Sequence, residues 1–222
     1  MIVKIVEKKN RYIFEKKDNS YILTPNGNLL EVKKKSHASL IFKEAKNSNC
    51  LKDPNSIYNL TNFSCNLNYD EKLKLKKKII DLLHFDIVLF RCFEENDLLL
   101  EMDKELNPFM ERFEKCFKLN LVIMKSLSEY TEIKSKGFYF FLNKLDNYHL
   151  TVLFKLATLT KSVILSYFFL MKEINYITLF KLTNMEYNYQ QKRWGVVPEQ
   201  KNTDKNLLST LKKISFFFKN LD

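Results

Sequence analysis

The chain has 222 residues, 37 Lys+Arg against 26 Asp+Glu for a formal charge of +11, and 45% hydrophobic residues. That apolar content excludes a disordered segment and suffices for the core of one domain or two small ones. The glycines Gly27, Gly137 and Gly195 lie too far apart for a Gly-rich phosphate loop, a dinucleotide fingerprint or a nucleophile elbow.

Residues 1–10 carry too short an apolar run for a signal peptide, and Glu7 argues against a transit peptide, which predicts a cytoplasmic protein. Up to about residue 35 the pattern alternates as strands do, with Ile2/Ile5, Tyr12/Phe14 and Tyr21/Leu23 on shared faces. Residues 21–24 and 29–32 read as a β-hairpin around Pro25-Asn26-Gly27-Asn28, where Asn-Gly accepts positive φ. Ser36 is placed to cap a short helix bearing Ala38, Leu40, Ile41 and Ala45, which ends at a polar break over residues 47–54.

Beyond residues 58–66 the apolar period changes from two to about 3.6, and Asn68 with Glu71 forms a capping box opening a helix over residues 70–83. Leu98, Met102, Leu106, Phe109, Met110, Phe113 and Phe117 then recur at threes and fours, on one long helix or two helices meeting at Asn107-Pro108. Residues 119–124 read as a single strand. Residues 139–145, 150–159, 162–172, 177–193 and 204–221 complete the helical series. The most apolar stretch, residues 150–171, carries Lys155 and Lys161 and reads as a buried helical hairpin rather than a membrane span. The predicted fold class is α+β, with a small β-rich amino-terminal domain over residues 1–66 and a mainly α-helical carboxy-terminal domain over residues 67–222.

Cys50, Cys65, Cys92 and Cys116 contain no C-x-x-C pair, and His37, His84 and His149 stand dozens of residues apart, so no zinc spacing or disulfide framework can be written. Cys92 and Cys116 read as core thiols, and His149 as a satisfied residue at a helix end. The carboxylate pairs Glu111/Glu114 and Glu129/Glu132 read as exposed helix faces. The runs Lys33-Lys34-Lys35 and Lys76-Lys77-Lys78 read as solvated faces in a chain rich in Lys, Asn and Phe; contact with phosphates is the alternative. No catalytic residue, metal or cofactor is expected. In the last third, Glu186 and Gln190 lie one turn apart, and the helix carrying them stops at Gly195 after the only Trp. Trp194 is either a core plug or an anchor for a partner, and core is the physical expectation.

These residues, read in order, resemble the chaperones that receive the α subunit during assembly of the F-type ATP synthase catalytic head, the Atp-twelve family of mitochondria and alphaproteobacteria. Glu186, Tyr189, Gln190, Arg193, Trp194 and Gly195 are similar to the family's acid-rich turn, aromatic, Gln, basic residue and Trp-Gly. Asp86, Phe90 and Arg91 match the Asp, aromatic and Arg of an upstream stretch, and Asn107-Pro108 the Asp-Pro that follows it. Tyr21 to Asn28 and Leu60 to Ser64 resemble a hairpin and a Leu-Thr stretch of the first half. Where the family has Glu-Trp, this chain has Glu44-Ala45.

The resemblance implies binding rather than chemistry. It implies a monomer of the bacterial cytoplasm that shields an unassembled α subunit of the ATP synthase, with Glu186, Tyr189, Gln190 and Trp194 facing the client. Asp86, Arg91, Pro108 and Gly195 are implied as structural. No nucleic-acid partner and no stable membrane insertion are implied, and a basic nucleic-acid-binding accessory protein is the alternative that the charge favours.

Overall fold

The computed structural model describes residues 4–126 and 132–221. It is an α+β protein in which a three-stranded antiparallel sheet, ordered β1-β2-β3, precedes a long run of helices. Ile2, on a predicted strand face, and Glu129, in a predicted carboxylate pair, lie outside the described residues.

Strands β1 (Lys4–Lys8) and β2 (Arg11–Glu15) meet through Lys9-Asn10, both at positive φ (50° and 59°). Two left-handed residues make the tight turn whose twist matches paired strands. Tyr12 and Ile13 of β2 then pair with Val32 and Glu31 of β3 (Glu31–Val32). The hairpin predicted around Asn26-Gly27 forms only at its tip: Gly27 has φ +79°, and Leu23 bridges Leu29. Past that bridge, residues 31–32 leave their expected partner and join β2.

Three helices follow, α1 (Lys35–Glu44), α2 (Ser48–Lys52) and α3 (Ile57–Asn66). Ser36 does not cap α1; Lys34 holds that position and makes no side-chain cap bond. Residues 57–66, expected before the change of period, are helical. They bury Ile57, Leu60, Thr61 and Ser64, and the two hydroxyls bond back to the carbonyls of Ile57 and Leu60. A core face built partly from satisfied hydroxyls reads as polar, which is why its helical period is hidden.

Helix α4 (Tyr69–His84) begins as predicted, the Glu71 amide donating to Asn68 Oδ1 at 2.9 Å. Its Lys76 is buried and donates to Asn143 Oδ1 at 2.7 Å, so the lysine run 76–78 is not a uniformly solvated face. After one 3₁₀ turn (Ile87–Leu89) comes α5 (Asn96–Phe117), a single helix of 22 residues with Pro108 inside it. Residues 119–124 are no strand. One parallel bridge, Phe90 to Met124, holds them by bonds from the Met124 amide to Leu89 and from the Arg91 amide to Met124. The remaining helices are α6 (Lys136–Lys144), α7 (Asn147–Thr160), α8 (Val163–Leu170), α9 (Tyr176–Thr183), α10 (Met185–Trp194) and α11 (Pro198–Lys219). The single helix predicted over 177–193 is thus two. No helix among the described residues is long and apolar enough to cross a membrane.

The chain packs as two compact units. The first comprises Met1–Lys72, Asp146–Val152 and Lys212–Asp222; the second comprises Leu73–Leu145 and Leu153–Leu211. This differs from a single cut between residues 66 and 67, because the start of α7 and the end of α11 supply core to the sheet. In the first unit His37 is buried, its Nε2 3.0 Å from Thr61 Oγ1 and its ring edge-on to Phe217 at 5.4 Å. Burial pushes its pKa down to about 4. Tyr148 donates to the Glu31 carbonyl, and Ser64 Oγ lies 3.0 Å from Thr151 Oγ1.

In the second unit all eight residues of α8 are buried. An aromatic cluster fills the space around it: Phe113, Phe117, Phe138 and Tyr167 contact one another with centroids 4.8 to 5.4 Å apart, mostly edge to face. The consecutive aromatics at 138–141 and 216–218 are core fillers only in part: Phe138, Phe217 and Phe218 are buried, whereas Tyr139, Phe140 and Phe216 are exposed. Each buried ring pair adds about 0.5–1.5 kcal/mol beyond area burial. The thiols differ from expectation: Cys116 is exposed and Cys92 half-buried. Glu114 is no idle surface carboxylate either, since its Oε1 accepts from the Leu121 amide at 2.6 Å and ties the turn after α5.

Candidate functional site

Helix α10 holds the four residues predicted to face a client. It begins at Asn184, whose amide and side chain both turn back to the Phe180 carbonyl, ending α9 and redirecting the chain. In α10 Met185 alone is buried, so one end is seated in the core and the rest of the helix is presented outward. Glu186 is exposed and accepts from Gln190 Nε2 at 3.2 Å, which places both on one helix side as the sequence spacing requires.

Tyr189 and Arg193 hold the helix in place. The Tyr189 hydroxyl donates to Glu95 Oε2 at 3.2 Å, and the Arg193 guanidinium pairs with the same oxygen. Glu95 is the residue preceding α5, so one carboxylate fastens the middle and end of α10 to the start of another helix. Of the predicted client-facing residues, Tyr189 is therefore partly committed to an internal bond.

Trp194 is not a core residue. It is 68% exposed, with the Arg193 guanidinium 5.8 Å from its ring, and Val196 and Val197 beyond it are 56% and 57% exposed. Gly195 at φ +90° ends the helix, and its amide bonds the Gln191 carbonyl. The signal for exposure was present in the sequence. A core Trp on this helix would have apolar neighbours three and four positions earlier, and those are Gln191 and Gln190.

Of the predicted structural residues, Asp86 and Arg91 lie deeper, whereas Pro108 and Gly195 are exposed. Asp86 is fully buried; its Oδ1 accepts from the Val88 amide at 3.0 Å and its Oδ2 from the Ile164 amide at 2.8 Å, joining the 3₁₀ turn to the start of α8. Burial pushes its pKa up to about 6, against the opposing pull of those hydrogen bonds. Arg91, also buried, donates from Nε to Asp103 Oδ1 at 2.8 Å, from Nη2 to Asn107 Oδ1 at 2.6 Å and from Nη1 to the carbonyls of Phe90 and Val88. Pro108 follows Asn107 on the exposed side of α5. Arg91 and Glu186 line one cleft of about 600 Å³, together with residues the sequence reading did not single out, among them Phe93, Glu94, Met102 and Tyr187. Among the described residues no group of three or more His, Cys, Asp or Glu side chains could hold a metal ion.

No protein-family model and no curated protein matches the chain. Solved structures do. Atp12 from Paracoccus denitrificans superposes with a TM-score of 0.79 at 18% identity, over 99% of this chain and 95% of that one. Atu1473 from Agrobacterium tumefaciens, a candidate chaperone, superposes with a TM-score of 0.82 at 14% identity, over 99% of this chain and 84% of the other. At such identities the agreement is one of backbone arrangement, and it spans nearly the whole chain: the protein has the fold of Atp12, the family its sequence resembles.

Proposed function

We propose that the protein is an assembly chaperone that binds an unassembled α subunit of the F-type ATP synthase and shields the apolar surface which later meets the β subunit. The observation that carries this reading is the exposed apolar strip Trp194, Val196 and Val197, at the end of a helix fixed in place through Glu95. An exposed Trp costs hydration free energy that a monomer gains nothing from retaining, and Trp is the residue type most enriched where binding energy concentrates. The fold shared with Atp12 and the motif residues Glu186 to Gly195 support the same reading. Binding, with no bond made or broken, is the activity, exerted by a monomer in a bacterial cytoplasm.

Co-expression with the α subunit in cells lacking the β subunit tests it. The α subunit should remain soluble and co-purify with the chain. Trp194→Ala and Glu186→Lys should each abolish co-purification while shifting unfolding stability by no more than about 0.5–1 kcal/mol, as surface changes do. An α subunit that aggregates equally with and without the chain overturns the reading; nucleic-acid binding that falls steeply with salt and ignores the α subunit would replace it.

A further inference from the structure

The 600 Å³ cleft beside α10 has a floor of Met102, Leu106, Leu182 and Met185, all buried. Its rim carries Phe93 and Tyr187, both left substantially exposed. Arg91 on its wall is neutralised by Asp103. Among the described residues, the other charged side chains lining the cleft are Glu94, Glu186 and Lys125, the last drawn over the Phe93 ring at 4.9 Å.

The segment that supplies Glu94 and Met102 to the cleft departs in charge from the rest of the molecule, although of its carboxylates Glu94 alone lines the cleft. In a chain of net charge +11, residues 94–105 hold six carboxylates against one lysine. Among the described residues, only Glu95 and Asp103 of the six meet a cation, Arg193 and Arg91 respectively. An apolar floor favours burial of an aliphatic or aromatic side chain, and the lip carboxylates Glu94 and Glu186, which form no ion pair among the described residues, favour a cation beside it. An acidic or purely apolar segment would desolvate those carboxylates without supplying a compensating charge.

We propose that this cleft takes a segment of the client in which an apolar anchor residue stands next to Lys or Arg, the anchor seated on Met102, Leu106 and Met185 and the cation facing Glu94 and Glu186. The assignment rests on the chaperone reading and adds to it a second contact, chemically distinct from the Trp194 strip.

The test uses the full chain and fluorescein-labelled peptides tiling the α subunit, read by anisotropy. Peptides that bind should carry Lys or Arg within a few residues of Leu, Ile or Phe, and their binding should weaken as salt is raised. Glu94→Lys and Phe93→Ala should each weaken it at least about tenfold, corresponding to about 1.4 kcal/mol, with an unchanged melting curve. Glu94→Lys should also lower α-subunit capture in cells. Capture by the parent with undiminished capture and peptide binding by both variants overturns the cleft assignment and leaves the chaperone reading intact. Failure of the parent to capture the α subunit overturns the chaperone reading; the cleft's chemistry then survives only if basic-apolar peptides still bind and Glu94→Lys still abolishes their binding. A parent that self-associates in sedimentation while Glu94→Lys is monomeric makes the occupant a second copy of the chain, and the assignment falls.

Discussion

Asp86→Ala is expected to destabilise the second unit by about 3–5 kcal/mol, because the change strands at least two buried amide donors, on Val88 and Ile164, at about 1–3 kcal/mol each, and opens a small cavity as well. A pH dependence should distinguish this residue from an ordinary core position. The pKa of Asp86 is raised to about 6 in the fold, so between roughly pH 4 and 6 the native state holds a proton that the unfolded chain has released. The stability it contributes is therefore present at low pH and declines as pH rises through 6. The loss on Asp86→Ala should accordingly be larger at pH 5 than at pH 7 by roughly 1–1.5 kcal/mol. His37 acts in the opposite sense: held neutral with a pKa near 4, it makes stability fall as pH drops from about 6.5. Parent and variant both keep His37, so their difference isolates Asp86. Denaturant unfolding at the two pH values measures it, and a loss independent of pH would show that Asp86 stays ionised in the fold.

Gly137→Ala should cost about 2–4 kcal/mol, although Gly137 lies in the first turn of α6, where Ala is ordinarily the better helix former. A Cβ at this position would stand 2.3 Å from the carbonyl oxygen of Phe117 and 3.1 Å from its carbonyl carbon. The obstacle is backbone at the end of α5, which cannot rotate away as a side chain would. Relief requires α6 to withdraw from α5, and Phe138, adjacent to Gly137, would then lose its contacts with Phe113 and Phe117 at 5.1 and 5.0 Å. By contrast, Gly27→Ala meets nothing within 4 Å and should lose only the roughly 1 kcal/mol that positive φ costs a side-chain-bearing residue. Thermal unfolding of the two variants side by side decides the matter; equal losses would mean that α6 can shift freely.

Where local chemistry and tertiary packing agree, the sequence was sufficient. Asn68 caps α4 because an Asx side chain three residues before Glu71 can do little else at the head of an amphipathic run. Leu98 to Phe117 form one helix through Pro108 because the apolar stripe continues across it, and Pro108 itself lies on the exposed side. Residues 119–124 have the Leu, Val and Ile that suggest a strand, yet among the described residues they form one bridge, at Phe90, since a strand is defined by what lies beside it. The break at Asn184 depends on one side chain preferring the Phe180 carbonyl to a continued helix, a choice invisible in hydrophobic periodicity. At the candidate site, the motif Glu186 to Gly195 could be read directly. Glu95, which secures it, and Glu94 and Phe93, which line the cleft, precede α10 by some ninety residues or more and carry no pattern linking them to it.

The first unit is stitched from segments far apart along the chain. Phe217 closes over His37, and Lys213 reaches Asp53 across 160 residues of sequence at 2.6 Å. During synthesis the sheet and α1 to α3 therefore leave the ribosome without the residues that complete their core, and the fully buried position of Phe217 is filled only once α11 has followed them. The second unit has no such requirement beyond Leu211. The helical unit can thus reach its native packing while the sheet still lacks its last component. Until then His37 lacks the Phe217 ring that stands edge-on to it, so the sheet-bearing unit, although it begins first, completes its core last.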